Sequence, residues 1–256
     1  MIRLLLAPRG AGALPLVQLT AQRPFPADDD HGLSSQLKWE MRAWAGRSRE
    51  TPAKQLEFLV QAHRLASDMQ VELGLGYTVF CVDDDVRGSG PERSRAEAAE
   101  DAAWRARPVA QRLEGFPRLS LSRDAYRAPE VVPFVVPDDE GVVGRRIRLS
   151  EEWIADFPVW GADYGLYGAD RGWVGLLDRS NLPVGPALVS RLAAWNREWE
   201  LWYPSVTDDG RDGTVQDPVI SYETRLGHVV EGHRLAADLQ AACGPRMMVI
   251  YPASHG

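Results

Sequence analysis

Apolar residues recur at helical spacing in several stretches of this chain, and short unbroken apolar runs lie between them. Leu37, Met41 and Trp44 fall on one helical stripe, with Ser34 or Ser35 placed to cap it. Thr51-Pro52 marks a second helix start, Thr51 as N-cap and Pro52 at the first helical position. Its stripe runs through Leu59, Ala62, Ala66, Met69 and Leu73 to Gly74, a natural C-terminal stop. Strands are expected over residues 2–7 and 77–82. Later in the chain Gly185-Pro186 opens a helix carrying Leu188, Leu192, Trp195, Trp199 and Trp202. Asp217-Pro218 is expected to open the next, with Val229, Gly232, Ala236, Leu239 and Cys243 inward, before Gly244-Pro245 and a strand over 247–251.

These two stretches resemble each other in residues as well as in pattern. Gln61 to Gln70 returns as Glu231 to Gln240, with His63-Arg64-Leu65-Ala66, Asp68 and Gln70 all repeated 170 positions on. Leu37, Met41 and Trp44 align with Leu188, Leu192 and Trp195 at an offset of 151, so a 19-residue insertion must separate the later helices. Self-similarity at such a period indicates a duplicated helix–helix–strand unit. Ile147 to Leu149 echoes Ile2 to Leu4 at the head of each unit. The expected fold is α/β, with α+β as the variant: two similar strand–helix–helix–strand units, a central mixed sheet and packed helices. The expected divisions are an N-terminal unit over 1–86, a connecting region over 87–141 and a C-terminal unit over 142–256. The connecting region holds a linker at Arg87 to Pro91, a helix over 92–114 broken at Pro108, and strands at 118–122 and 131–136. Val142 to Leu149 reads as a strand after the turn Pro137 to Gly141.

Composition narrows the function. The net charge is −7, which disfavours a nucleic-acid binder needing a basic face. Lys38 and Lys54 are the only lysines beside 27 arginines, a skew that fits a GC-rich bacterial-type genome rather than guanidinium chemistry. Cys81 and Cys243 are too few for a disulfide framework, so buried thiols in a reducing cytoplasm are expected. No signal peptide and no membrane span are read from the apolar runs.

Catalytic motifs are not found. His63 and His233 flank the apolar stripes, which predicts half-buried rings sealing the core edge; a shared ligand site is the lesser alternative. The pairs Arg64/Asp68 and Arg234/Asp238 read as solvated i,i+4 pairs. His228 and His233 stand five apart, where a zinc protease motif needs four. Thr207 to Gly213 fails as a calcium loop, with Gly210 and Val219 at ligand positions. The acidic runs 28–30 and 83–85 read as turn tips before magnesium ligands. Pro15 replaces the third glycine in the Gly10/Gly12 loop, so no dinucleotide site is encoded.

Tryptophan is the compositional outlier, with six of nine between positions 153 and 202. Within that span, residues 160–173 mix Trp160, Tyr164, Tyr167 and Trp173 with Asp163, Asp170 and flexible glycines. Aromatic groups with polar tips concentrate recognition energy, so Trp160, Asp163, Tyr164, Tyr167, Asp170 and Trp173 are the expected binding residues. The sequence therefore predicts a soluble, non-catalytic module that binds and regulates or neutralises a protein partner, a basic one by charge complementarity. No cofactor, metal, nucleic acid or membrane is expected. The alternative is an enzyme whose pocket lies between the two lobes, lined by the 160–173 loop and His228/His233, with Asp163 and Asp170 as its carboxylates.

Overall fold

The computed structural model describes residues 2–6, 14–18, 31–47, 49–81, 94–116, 145–152, 155–162, 173–202, 220–245 and 247–251. It is a mixed α/β architecture with six helices and two small sheets among these residues. In the first half, β1 (Ile2–Leu6) leads through β2 (Leu16–Gln18), α1 (Ser35–Ala45) and α2 (Pro52–Leu73) to β3 (Tyr77–Cys81). Next come α3 (Arg95–Ala106) and α4 (Val109–Glu114), split at Pro108 as its missing N–H requires. The second half runs β4 (Arg145–Leu149), β5 (Val159–Ala162), β6 (Trp173–Leu176), α5 (Pro186–Trp202), α6 (Tyr222–Cys243) and β7 (Met247–Ile250). The sheet orders are β2-β1-β3 and β6-β5-β4-β7.

Each half closes a parallel strand pair around two helices, β1 with β3 and β4 with β7. In each, an antiparallel strand covers the other edge of the leading strand. The expected central sheet is thus two sheets. The halves meet through helix packing instead of strand pairing, α2 lying against α6 with Val60, Ala237 and Ala241 buried in the seam. Val71, Leu75 and Trp104 join the core of the second half, so the hydrophobic interior continues across that seam.

Local devices match closely between the halves. The Thr51 hydroxyl accepts from Lys54 N–H and the Ser221 hydroxyl from Thr224 N–H, capping two 22-residue helices. Both end at a glycine in the left-handed region, Gly74 at φ 77° and Gly244 at φ 75°, where a side chain would be strained. Gln70 Nε2 donates to the carbonyls of Gly74 and Tyr77; Gln240 Nε2 donates to those of Gly244 and Met247.

Three expectations shift. The helix expected from Asp217-Pro218 begins at Tyr222, because Ser221 supplies the capping hydroxyl. Leu4 pairs with Val79 and Ile147 with Val249, so Ile147 corresponds to Leu4 and not to Ile2. Asp68 is buried at 1% exposure, and Asp238 accepts from Arg191 at 2.6 Å; neither belongs to a merely solvated pair. The expected strands at 118–122 and 131–136, the turn at 137–141 and both acidic runs lie outside the described residues.

Candidate functional site

The sequence match places a phenylalanine and a histidine at corresponding positions, Phe58 on α2 and His228 on α6. Trp44 stacks on Phe58 at 4.4 Å between centroids and donates its indole N–H to the Phe58 carbonyl at 2.9 Å. Trp195 does the same to His228, stacked at 4.7 Å with its N–H 3.0 Å from that carbonyl. The second half therefore holds a titratable ring where the first holds an inert one. Glu151 Oε1 lies 3.3 Å from His228 Nε2, and Glu198 Oε2 lies 3.6 Å from Nδ1. Trp202 meets the same ring edge-on at 4.8 Å. Asn196 fixes the segment that presents Glu151. Its amide donates to the carbonyls of Glu152 and Ala155, and its oxygen accepts from Glu152 N–H.

Tyr251 connects this cluster to a second. Its ring is edge-on to Trp195 on one side and to His233 on the other, 4.8 Å away. Burial, with the Glu151 charge adding to it, holds the Tyr251 hydroxyl well above its ordinary pKa, so it is neutral. Beyond it, α2, β3 and α6 bring His63, Cys81 and His233 together, with one donor atom from each within 4.8 Å of the others. Both histidines are fully enclosed, at 3% and 0% exposure, correcting the half-buried reading. Helix α2 packs on β3 and on α6, so the flank beside its stripe also faces protein. Burial pushes the His63 pKa down to about 4, against a backbone hydrogen bond to Val249 that raises it. The ring is neutral near pH 7, the form that can ligate a metal.

Of the six binding residues expected from sequence, Trp160 is half-buried on β5, directly opposite Leu176 of β6. Opposed residues project to one face, and Leu176, at 46%, is among the few large apolar side chains left exposed among the described residues. Trp173 begins β6, so part of the expected loop is strand. Asp163, Tyr164, Tyr167 and Asp170 lie outside the described residues. His228 and His233 are not brought to one point; each has different ring partners. Sequence reasoning missed Glu151, Glu198, Cys81, Tyr251 and Leu176. The available signal was comparison of the two halves, which pairs Phe58 with His228 and Cys81 with Tyr251.

Both cysteines are free thiols, and burial pushes Cys243 up to about 12. The nucleophile is the thiolate, so Cys243 stays protonated and unreactive at pH 8. Native protein treated with iodoacetamide at that pH is expected to gain no label within minutes, whereas denatured chain gains two, as intact mass will show. Rapid single labelling of the native protein would contradict this burial.

Residues 145–254, the whole β4–β7 half, match the family described as Serratia CdiI immunity protein-like. Neither the curated proteins nor the solved structures give a significant match to the chain. The match fits a neutralising, protein-binding module. Among the described residues no helix is long and apolar enough to cross a membrane.

Proposed function

We propose that this protein captures a toxin-type protein partner and neutralises it by occlusion, without chemistry of its own. The immunity-protein-like match over 145–254 is the observation that carries this reading, since an immunity protein acts by binding the toxin it protects against. The contact surface is the β5–β6 face, with Trp160 beside exposed Leu176, together with Asp163, Tyr164, Tyr167, Asp170 and Trp173 of the 160–173 segment. The charge of −7 favours a basic partner by speeding encounter. Free thiols agree with a reducing cytoplasm. The matching caps and glutamine bonds support an ancestral duplication, with units 1–86 and 142–256 joined by 87–141. Backbone paths over 34–81 and 185–251 that fail to superpose in a crystal structure would rule that origin out.

Tagged full chain is expected to recover one stoichiometric protein from native lysate, less efficiently as salt rises. Leu176→Asp then weakens the purified complex by about thirtyfold or more, the scale of an interface anchor, while leaving the melting temperature unchanged. Recovery of no stoichiometric partner overturns the proposal. The alternative, an enzyme with a pocket between the lobes, draws its support from the His228 ring beside two carboxylates. A turnover assay in which His228→Phe retains full activity would remove that support.

A further inference from the structure

We infer that His63, Cys81 and His233 form a zinc site that ties the two halves together. The three residues come from α2, β3 and α6, so an ion among them would bridge the seam where the halves pack. Three atoms no more than 4.8 Å apart all lie within about 2.8 Å of a common point by plane geometry. Zinc bonds are roughly 2.0–2.1 Å to nitrogen and 2.3 Å to sulfur. Side-chain rotations closing each donor by several tenths of an ångström would therefore bring all three to bonding distance, with water taking the fourth tetrahedral position.

The donor chemistry selects the ion. Two imidazoles and one thiolate are borderline-to-soft ligands, suited to zinc and poorly suited to magnesium or calcium, which take oxygen. The orientation of His63 is the second observation. One of its ring nitrogens bonds the Val249 backbone on β7, while Nδ1 is buried with no hydrogen-bond partner among the described residues. A ligating histidine characteristically donates its other ring N–H to a carbonyl or carboxylate, which fixes the tautomer and aims the lone pair. His63 has that backbone hydrogen bond in place before any ion arrives, which leaves Nδ1 to take the metal bond. Binding is a simple exchange: zinc enters, the Cys81 thiol releases its proton to solvent, and the thiolate sulfur takes the bond. No redox change occurs.

The tests use the full chain purified under reducing conditions. Elemental analysis after reconstitution and removal of loose metal is expected to find about one zinc per chain. Cobalt(II) in its place should give a thiolate-to-metal charge-transfer band. Cys81→Ser abolishes that band, and His63→Gln or His233→Gln each weakens zinc binding at least tenfold. Cys243→Ser keeps both properties. Zinc added to metal-free wild type raises its melting temperature and leaves that of Cys81→Ser unmoved. Should Cys81→Ser fail to fold, the wild-type stoichiometry and cobalt spectrum decide. Less than about a tenth of an equivalent of zinc, a missing cobalt band, a band that survives Cys81→Ser, or copper(I) held in zinc's place each overturns the assignment.

Discussion

Gly232→Ala is expected to destabilise the protein by about 4 kcal/mol, beyond the usual cost of overpacking a core because the obstacle is a closed-in ring. A Cβ at Gly232 would overlap Tyr251 Cζ, Oη and Cε1 inside van der Waals contact. Tyr251 is 2% exposed and held edge-on between Trp195 and His233, so the ring has nowhere to withdraw. The glycine is not there for its backbone freedom. It sits inside α6, where Ala would be the better helix former by roughly 1 kcal/mol. The sequence accepts that cost to admit an aromatic ring against the helix.

The first half contains the complementary solution. Ala62 corresponds to Gly232 and Cys81 to Tyr251, so the first half combines a methyl-bearing helix position with a small residue where the second combines a glycine with a large one. The exchange implies strong coupling between positions 232 and 251. In a double-mutant cycle, Gly232→Ala with Tyr251→Cys should be at least about 2 kcal/mol more stable than the sum of the single changes. Chemical denaturation of the four proteins measures this. Additive effects would mean that Gly232 serves something other than the ring.

Much of the helical framework was legible because it is written locally. Ser34, Thr51, Pro186, Pro108 and the two terminal glycines act within one turn of themselves, and each is where the sequence puts it. The span 160–173 reads as loop from sequence although it holds Trp160 to Ala162 of β5 and Trp173 of β6, because the pairing partners of these strands, β4 and each other, are tertiary and leave little trace in short segments. The histidines were misplaced for a related reason. Periodicity identifies one buried face, but α2 is buried all round from Leu65 to Leu73. Gln70 and Glu72 survive in that stretch by being bonded: Gln70 to the following turn, and Glu72 to the backbone and hydroxyl of Ser34 at 2.7 Å each. No stripe analysis can distinguish such a polar residue from a solvated one. The site partners Glu151 and Glu198 were equally hidden, since they reach His228 from separate segments.

Asp101→Ala is expected to cost roughly 3–5 kcal/mol, the range for breaking a buried charged network by removing one member. Asp101 is 3% exposed on α3, and its carboxylate accepts from Gly76 N–H at 2.6 Å, Tyr222 hydroxyl at 2.8 Å and Arg105 Nε at 3.0 Å. The same tyrosine hydroxyl accepts from Leu75 N–H, and Trp104 on α3 donates to the Val71 carbonyl at 2.8 Å. Together these bonds hold the turn after α2, the connecting helix α3 and the first residue of α6. Loss of the carboxylate would strand two buried donors and an arginine at the point where the halves meet. Asp101→Asn keeps the shape and one acceptor oxygen but turns an amide toward Arg105, so an intermediate loss is expected. Glu97→Ala, which removes the capping-box partner of Ser94 on the exposed start of the same helix, should cost only about 1 kcal/mol. Urea unfolding of the three variants gives the ordering through its midpoints at constant slope. If Asp101→Ala loses no more than Glu97→Ala, the turn is held by apolar packing of Trp104 and Leu75, and the carboxylate network is incidental to the joining of the halves.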